Sequence, residues 1–214
     1  MVAAAMTGII AVAAVALVAW FAAGTIWNVR RGHQVLRWMQ DGLPLVGERT
    51  TVRWLGSSAV EMAIREAKPP FSSLALVIFL EPRDVPWMWA LGRARGRRDT
   101  LIIRGMLRTV PPIELEALDV TSWSGREARP RVPQDWPIRV AEAGGIVLHC
   151  RGTAERELAK MLLALANGAG LHVARLSLRR AEPQFQLHVA LPDQRQSARG
   201  FFEAIQTIAA HAPS

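Results

Sequence analysis

Residues 2–27 read VAAAMTGIIAVAAVALVAWFAAGTIW, 26 positions without an ionisable side chain. As an α-helix rising about 1.5 Å per residue the stretch is roughly 39 Å long, more than the hydrocarbon core of a bilayer at about 30 Å. It reads as a single transmembrane helix, and the rest of the chain is organised around it. A cleavable signal would open with Lys or Arg and carry an apolar core of about 7–15 residues. Met1-Val2-Ala3-Ala4-Ala5 has no such charge and the run is too long, so the span is expected to be a retained anchor. Gly8 and Gly24 form no G-x-x-x-G pair, and a plain anchor is expected rather than a dimerisation helix.

Working outward, Arg30, Arg31, His33 and Arg37 follow the span at once. Positive flanks stay in the cytoplasm, which predicts the amino terminus outside, the remainder in the cytoplasm and residence in the cell membrane. Trp20 and Trp27 suit the headgroup boundary.

The chain has 214 residues, room for the anchor plus one domain or two smaller lobes. Half of its residues are hydrophobic, so the part beyond the anchor can bury a core and is no disordered tail. The net charge of +8 lies wholly after residue 27, and Lys occurs only at positions 68 and 160. A basic, Arg-rich surface beside a membrane has the anionic headgroups of the cytoplasmic leaflet as its first partner. Nucleic acid is the second. The lone Cys150 excludes an internal disulfide and a multi-cysteine metal site; after Ile146-Val147-Leu148 it reads as a small buried hydrophobe.

Past the anchor, residues 28–48 read as a juxtamembrane helix and linker, with Val35, Leu36 and Met39 at helical spacing and a stop at Asp41-Gly42 and Pro44. A first α+β lobe is expected over 49–120. Thr50–Leu55 reads as a strand. Ser58-Ala59-Val60-Glu61 matches a capping box opening a helix whose apolar face is Val60, Ala63, Ile64 and Ala67, ended by Pro69-Pro70. Leu74–Leu80 reads as a central buried strand. A short helix capped by Asp84 is expected to Leu91, then a strand over Thr100–Arg108 and an edge strand over Ile113–Leu118.

Residues 121–137, rich in Pro, Gly and Arg, read as a linker. The second lobe, 138–214, reads as ββαββα: a hairpin of Ile138–Glu142 and Ile146–Arg151 around Ala143-Gly144-Gly145, a helix from Thr153 to Asn167-Gly168, strands over Leu171–Arg179 and Gln184–Leu191, and a helix opened by a capping pattern at Asp193-Gln194-Arg195-Gln196. Phe185, Leu187, Val189 and Leu191 alternate with Gln184, Gln186 and His188, which predicts one buried and one wet face. The expected fold class is a single N-terminal transmembrane helix plus a cytoplasmic α+β domain, a mixed or antiparallel sheet with helices packed on it.

Motifs with chemistry are scarce. His33, His149, His172, His188 and His211 contain no H-x-H or H-x-x-x-H pair, so no metal site is expected; His149, His172 and His188 read as a surface row. Gly92–Gly96 lacks the Lys and hydroxyl of a phosphate loop, and Asn167–Gly170 leads out of a helix. No G-x-S-x-G elbow exists, and Glu114 and Glu116 read as an exposed edge. No catalytic, cofactor-binding or metal-binding residue is proposed from the sequence. An interaction or scaffold module with an unidentified protein partner is favoured over an enzyme; a deep cavity lined by groups such as His149, Glu142 or Arg175 with perturbed pKa values would reverse that preference.

One constellation remains. Trp87 and Trp89 precede Arg93, Arg95, Arg97, Arg98, Arg104 and Arg108, and these six arginines against Asp99 give residues 93–108 a charge of +5. Interfacial aromatics followed by arginines point to docking on an anionic membrane surface through Trp87, Trp89, Arg93, Arg95, Arg97, Arg98 and Arg104. A tethered nucleic-acid module is the alternative, its arginines on phosphates and its tryptophans on bases.

Overall fold

The helix that begins in the uncharged span does not end with it. In the computed structural model, which describes residues 2–140, 145–150 and 152–212, α1 runs over Val2–Gln40, 39 residues or about 58 Å. Among the described residues it is the one helix long and apolar enough, by length and composition, to cross a membrane. Positions 5–23 are all exposed. Beyond them a stripe at helical spacing, Gly24, Asn28, Gly32, Val35 and Met39, is buried against the rest of the chain. Glycine is required at two of these places: a Cβ on Gly24 would run into the backbone of Arg83 and Asp84, and one on Gly32 into the Trp54 ring. The junction near residue 27 is therefore unbroken helix.

A short α2 (Leu43–Val46) leads to a sheet of nine strands among the described residues: β1 (Thr50–Trp54), β2 (Ala59–Ile64), β3 (Phe71–Phe79), β4 (Thr100–Leu107), β5 (Leu115–Asp119), β6 (Ile138–Val140), β7 (Ile146–Cys150), β8 (Val173–Leu178) and β9 (Phe185–Ala190). All neighbours are antiparallel, in the order β1-β2-β3-β4-β9-β8-β5-β7-β6. Elements of the two expected lobes share this sheet. β4 pairs with β9, and β5 lies between β8 and β7.

One face of the sheet is apolar. Ile64, Leu76, Ile78, Leu101, Ile103, Leu115, Leu176, Phe185 and Leu187 form a single cluster with Leu162 of α5 (Thr153–Gly168), Phe202 and Ile205 of α6 (Ala198–His211), and Val35 and Met39 of α1. The other face is covered in part by α4 (Trp123–Ala128), a 3-10 turn over Arg129–Arg131 and Trp136. That cover comes from the stretch 121–137 that reads as a linker; Ala128, Val132 and Trp136 pack there on Leu118.

Several local expectations are corrected. The stretch that matches a capping box and helix is strand β2, paired on both sides: Val60, Met62 and Ile64 alternate inward, and this period of two wins because two partner strands supply the hydrogen bonds that a helix would have made for itself. β5 is an interior strand, not an edge. Asp84 does not cap the next helix, α3 (Pro86–Ala94), whose N-cap is Val85; its carboxylate accepts a 2.6 Å bond from the Ser57 hydroxyl. α6 is capped by Ser197, whose Oγ accepts from Gly200 N–H at 3.4 Å, rather than at Asp193. The face of β9 expected to be wet is dry: Gln184, Gln186 and His188 are all buried. Glu142, Ala143, Gly144 and Arg151, named in the expected hairpin, lie outside the described residues.

Candidate functional site

The Trp87–Arg98 segment divides into two parts. α3 has no buried residue, and Trp87, Met88 and Leu91 are 65 %, 50 % and 53 % exposed. Trp89 turns inward instead. Its Nε1 donates to the buried Glu81 carboxylate at 2.6 Å, Arg93 donates to the same group at 3.2 Å, and the Trp89 ring meets Trp20 of α1 at 6.3 Å between centroids. Trp20 Nε1 in turn donates to Arg83 O at 2.9 Å, and the buried Asn28 amide donates to Glu81 O at 3.0 Å. Arg83 completes the joint with a two-pronged contact to Asp99 at 3.0 and 3.1 Å. Trp20, Ala23, Gly24, Trp27, Arg83 and Trp89 surround a recess of about 300 Å³.

Arg95, Arg97, Arg98 and Arg104 belong elsewhere. The Arg95 carbonyl accepts from the Arg126 guanidinium of α4. Arg98 Nη1 donates to the carbonyls of Arg93 and Arg97, at 3.0 and 2.7 Å, and the Arg97 guanidinium stands 5.1 Å from the Trp123 ring. Arg104 projects from β4 on the face under α4.

That face holds a polar row across five neighbouring strands. The register puts His149 of β7 opposite Glu116 of β5, Glu116 opposite Ser177 of β8, Ser177 opposite Gln186 of β9, and Gln186 opposite Arg104 of β4. Glu116 is fully buried. It pairs with Arg175 and accepts from Ser177 Oγ at 2.9 Å and Arg179 Nη2 at 2.8 Å; Arg179 lies 4.4 Å over Trp136. The expected exposed pair Glu114 and Glu116 is thus split, because successive strand residues two apart share a face only while both remain in the strand, and Glu114 precedes β5.

Beside this row a cavity of about 200 Å³ is lined by Arg97, Arg98, Arg104, Arg131 and Arg175 against the single carboxylate of Glu127, with Ser124 and His188 also on its wall. Ser124 Oγ and His188 Nδ1 are 2.5 Å apart, and His188 Nε2 has no hydrogen-bond partner among the described residues. Burial, reinforced by Arg175, Arg104 and Arg131, pushes the His188 pKa down to about 3. His149 is lowered as well, chiefly by burial. The expected surface row of histidines is therefore corrected for His149 and His188, which are buried.

No protein-family model matches the chain. No curated protein matches it either.

Of the groups that would have restored an enzyme reading, Arg175 lines the cavity, His149 does not, and Glu142 is outside the described residues. A serine–histidine pair in a cavity resembles the start of nucleophilic chemistry, but a general base works best with a pKa near the operating pH, and His188 is far below it. Among the described residues no cluster of three or more His, Cys, Asp or Glu could hold a metal ion. The arrangement is suited to binding negative charge. Of this group the sequence had offered only Arg175 as a cavity residue; Ser124, Arg131 and His188 come from α4, the turn after it and β9, and the one signal for them was the alternation of polar residues along β9.

Proposed function

We propose that the chain is a single-pass membrane-anchored binding module: α1 crosses the bilayer with its amino end outside, the α+β domain sits on the cytoplasmic side, and α3 lies in the headgroup region. The observation that carries this reading is α3 itself, a helix without a buried residue that exposes Trp87, Met88 and Leu91 and meets Trp20 of the apolar span through Trp89. A helix of that kind lies along an interface with its apolar side in the acyl boundary. The levels agree. The 18 residues from Val2 to Ala19 extend about 27 Å, close to a hydrocarbon core of about 30 Å, so Trp20, and with it Trp89, falls at the boundary where tryptophan is enriched. The recess between α1 and α3 opens at the same depth.

The docking is more apolar than the charge count suggested. Arg93 is engaged by Glu81, Arg97 stands over Trp123 and Arg98 donates to the carbonyls of Arg93 and Arg97, which leaves the exposed Arg95 to meet anionic headgroups, at about 1 kcal/mol.

The test uses the full chain in nanodiscs, with Cys150 replaced by Ala and a nitroxide placed at Met88→Cys or, as an aqueous reference, at the exposed Glu203→Cys. The label at 88 is expected to be shielded from a water-soluble relaxation agent and reached by oxygen, the one at 203 the reverse. Equal aqueous accessibility at both sites would sink the interfacial seat. A carboxy-terminal alkaline phosphatase fusion that is active would sink the orientation, and binding of single-stranded RNA with the label at 88 fully in water would favour the nucleic-acid alternative.

A further inference from the structure

We infer that the cavity between α4 and the sheet is a binding site for a phosphate-monoester group. Its wall is rich in positive charge and nearly empty of negative charge: five arginines stand against the one carboxylate of Glu127. Three of them are already held in place, Arg175 by the buried Glu116, Arg97 by the Trp123 ring and Arg98 by the carbonyls of Arg93 and Arg97. Arg104 and Arg131 have no hydrogen-bond or ion-pair partner among the described residues, and both are exposed to whatever enters. Planar guanidinium forks match the oxygens of phosphate two at a time.

The Ser124–His188 pair adds a further donor whatever its tautomer. Between them the hydroxyl and the neutral imidazole own two labile hydrogens, and their mutual 2.5 Å contact uses one. If Ser124 donates, the remaining hydrogen sits on Nε2, which has no partner among the described residues; if Nδ1 donates, it sits on Oγ. A buried donor left unmade is costly, and an anion oxygen would satisfy it. Because burial and the neighbouring arginines keep His188 neutral down to a pH of about 3, the pair supplies hydrogen bonds to the ligand and no charge.

Size and charge choose among anions. About 200 Å³ is below the roughly 300–1,000 Å³ of sites for drug-sized ligands, so the cavity takes a charged terminus and not a whole large molecule. A carboxylate offers two oxygens and one charge, too little for the arginines present. A phosphate monoester offers three strong acceptor oxygens and a charge of about −1.5 to −2 at neutral pH. This site is distinct from the α3 surface and does not depend on it.

The test is calorimetric titration of the full chain, in nanodiscs of zwitterionic lipid, with inorganic phosphate and with glycerol 3-phosphate in a chloride background. Saturable binding is expected, weakened about tenfold, or 1.4 kcal/mol, by Arg104→Gln or Arg131→Gln, and unchanged by Arg199→Gln, which removes an equally exposed arginine on α6. Both site arginines are exposed, so neither substitution should disturb folding, which a thermal melt verifies. The imidazole nitrogen resonances of His188 should move on titration while those of His211 stay. A second arm replaces the soluble ester by phosphatidic acid within the nanodisc, whose headgroup is itself a phosphate monoester. A His188 response to the soluble ester assigns a free ligand, and a response to the lipid alone assigns a headgroup; either supports the site. Binding indifferent to Arg104 and Arg131, or a His188 signal that ignores both forms, overturns it.

Discussion

Both faces of the sheet bury side chains, and they are held by different physics. On one, Leu101, Ile103, Leu176 and Leu187 pack among α5 and α6 in a cluster with no charge in it. On the other, the same strands turn Arg104, Arg175, Ser177, Gln186 and His188 toward α4 and Trp136. Burial is common to both, so burial alone does not distinguish core from site. The difference lies in how each face responds to loss: apolar contacts fail in proportion to the volume removed, whereas a buried ionic group fails as a unit when one member leaves.

The sharpest test of that contrast is Glu116→Ala. It strands Arg175 and Arg179 beside one another without a carboxylate, and a loss of about 3–5 kcal/mol is expected in urea unfolding of the full chain in detergent. Leu187→Ala on the opposite face should cost a comparable 2–5 kcal/mol through a cavity. The two separate on rescue. Replacing Glu116, Arg175 and Arg179 together by Leu, Met and Met should recover most of the stability, while a second truncation beside Leu187 can only add to its loss. If Glu116→Ala costs less than about 1 kcal/mol, the polar face is not held by this network and the comparison breaks.

A smaller effect appears with pH. His188 titrates at 6.5 in the unfolded chain and at about 3 in the fold, so between those values the unfolded state holds a proton that the native state does not. Stability is therefore complete above pH 6.5 and falls as the solution is acidified toward 3, by up to about 1.4 kcal/mol per pH unit for this one group. The lowered His149 acts in the same direction. Unfolding midpoints measured from pH 7.5 down should show this decline, and His188→Gln should flatten it; an unchanged slope would mean that the ring is not held neutral. The smallest expected change is at the rim, where Arg97→Gln removes a partly exposed cation from the Trp123 ring and should alter stability by less than about 1 kcal/mol.

The apolar face was the legible one. The run Leu74–Leu80, the alternation along β9 and the helical spacing of Phe201, Phe202, Ile205 and Ile208 each state their own period, and β3, β9 and α6 follow from them. β2 was not legible because its residues satisfy two periods at once: Val60, Ala63, Ile64 and Ala67 for a helix, Val60, Met62 and Ile64 for a strand. Only its neighbours decide. Glu116 reads locally as an ordinary charge between apolar residues; what buries it is Arg175, 59 residues later, and separations of that kind leave no mark in a local pattern. The Trp/Arg segment drew attention as one site because its residues are consecutive, yet α3 ends at Ala94 and the chain turns at Gly96, whose φ is 78°, so its two halves face different parts of the molecule.

The continuity of α1 has a mechanical meaning. An exposed apolar shaft and the axle of the domain are one continuous helix, seated by Asn28, Val35 and Met39 and keyed at Gly24 and Gly32. In the membrane-anchored reading the domain has no swivel: a change in the tilt of the span, which averages about 20° among such helices, or a rotation about its long axis, is passed on without slack to the sheet. Bilayer thickness would thereby steer which surface of the domain faces the cytoplasm.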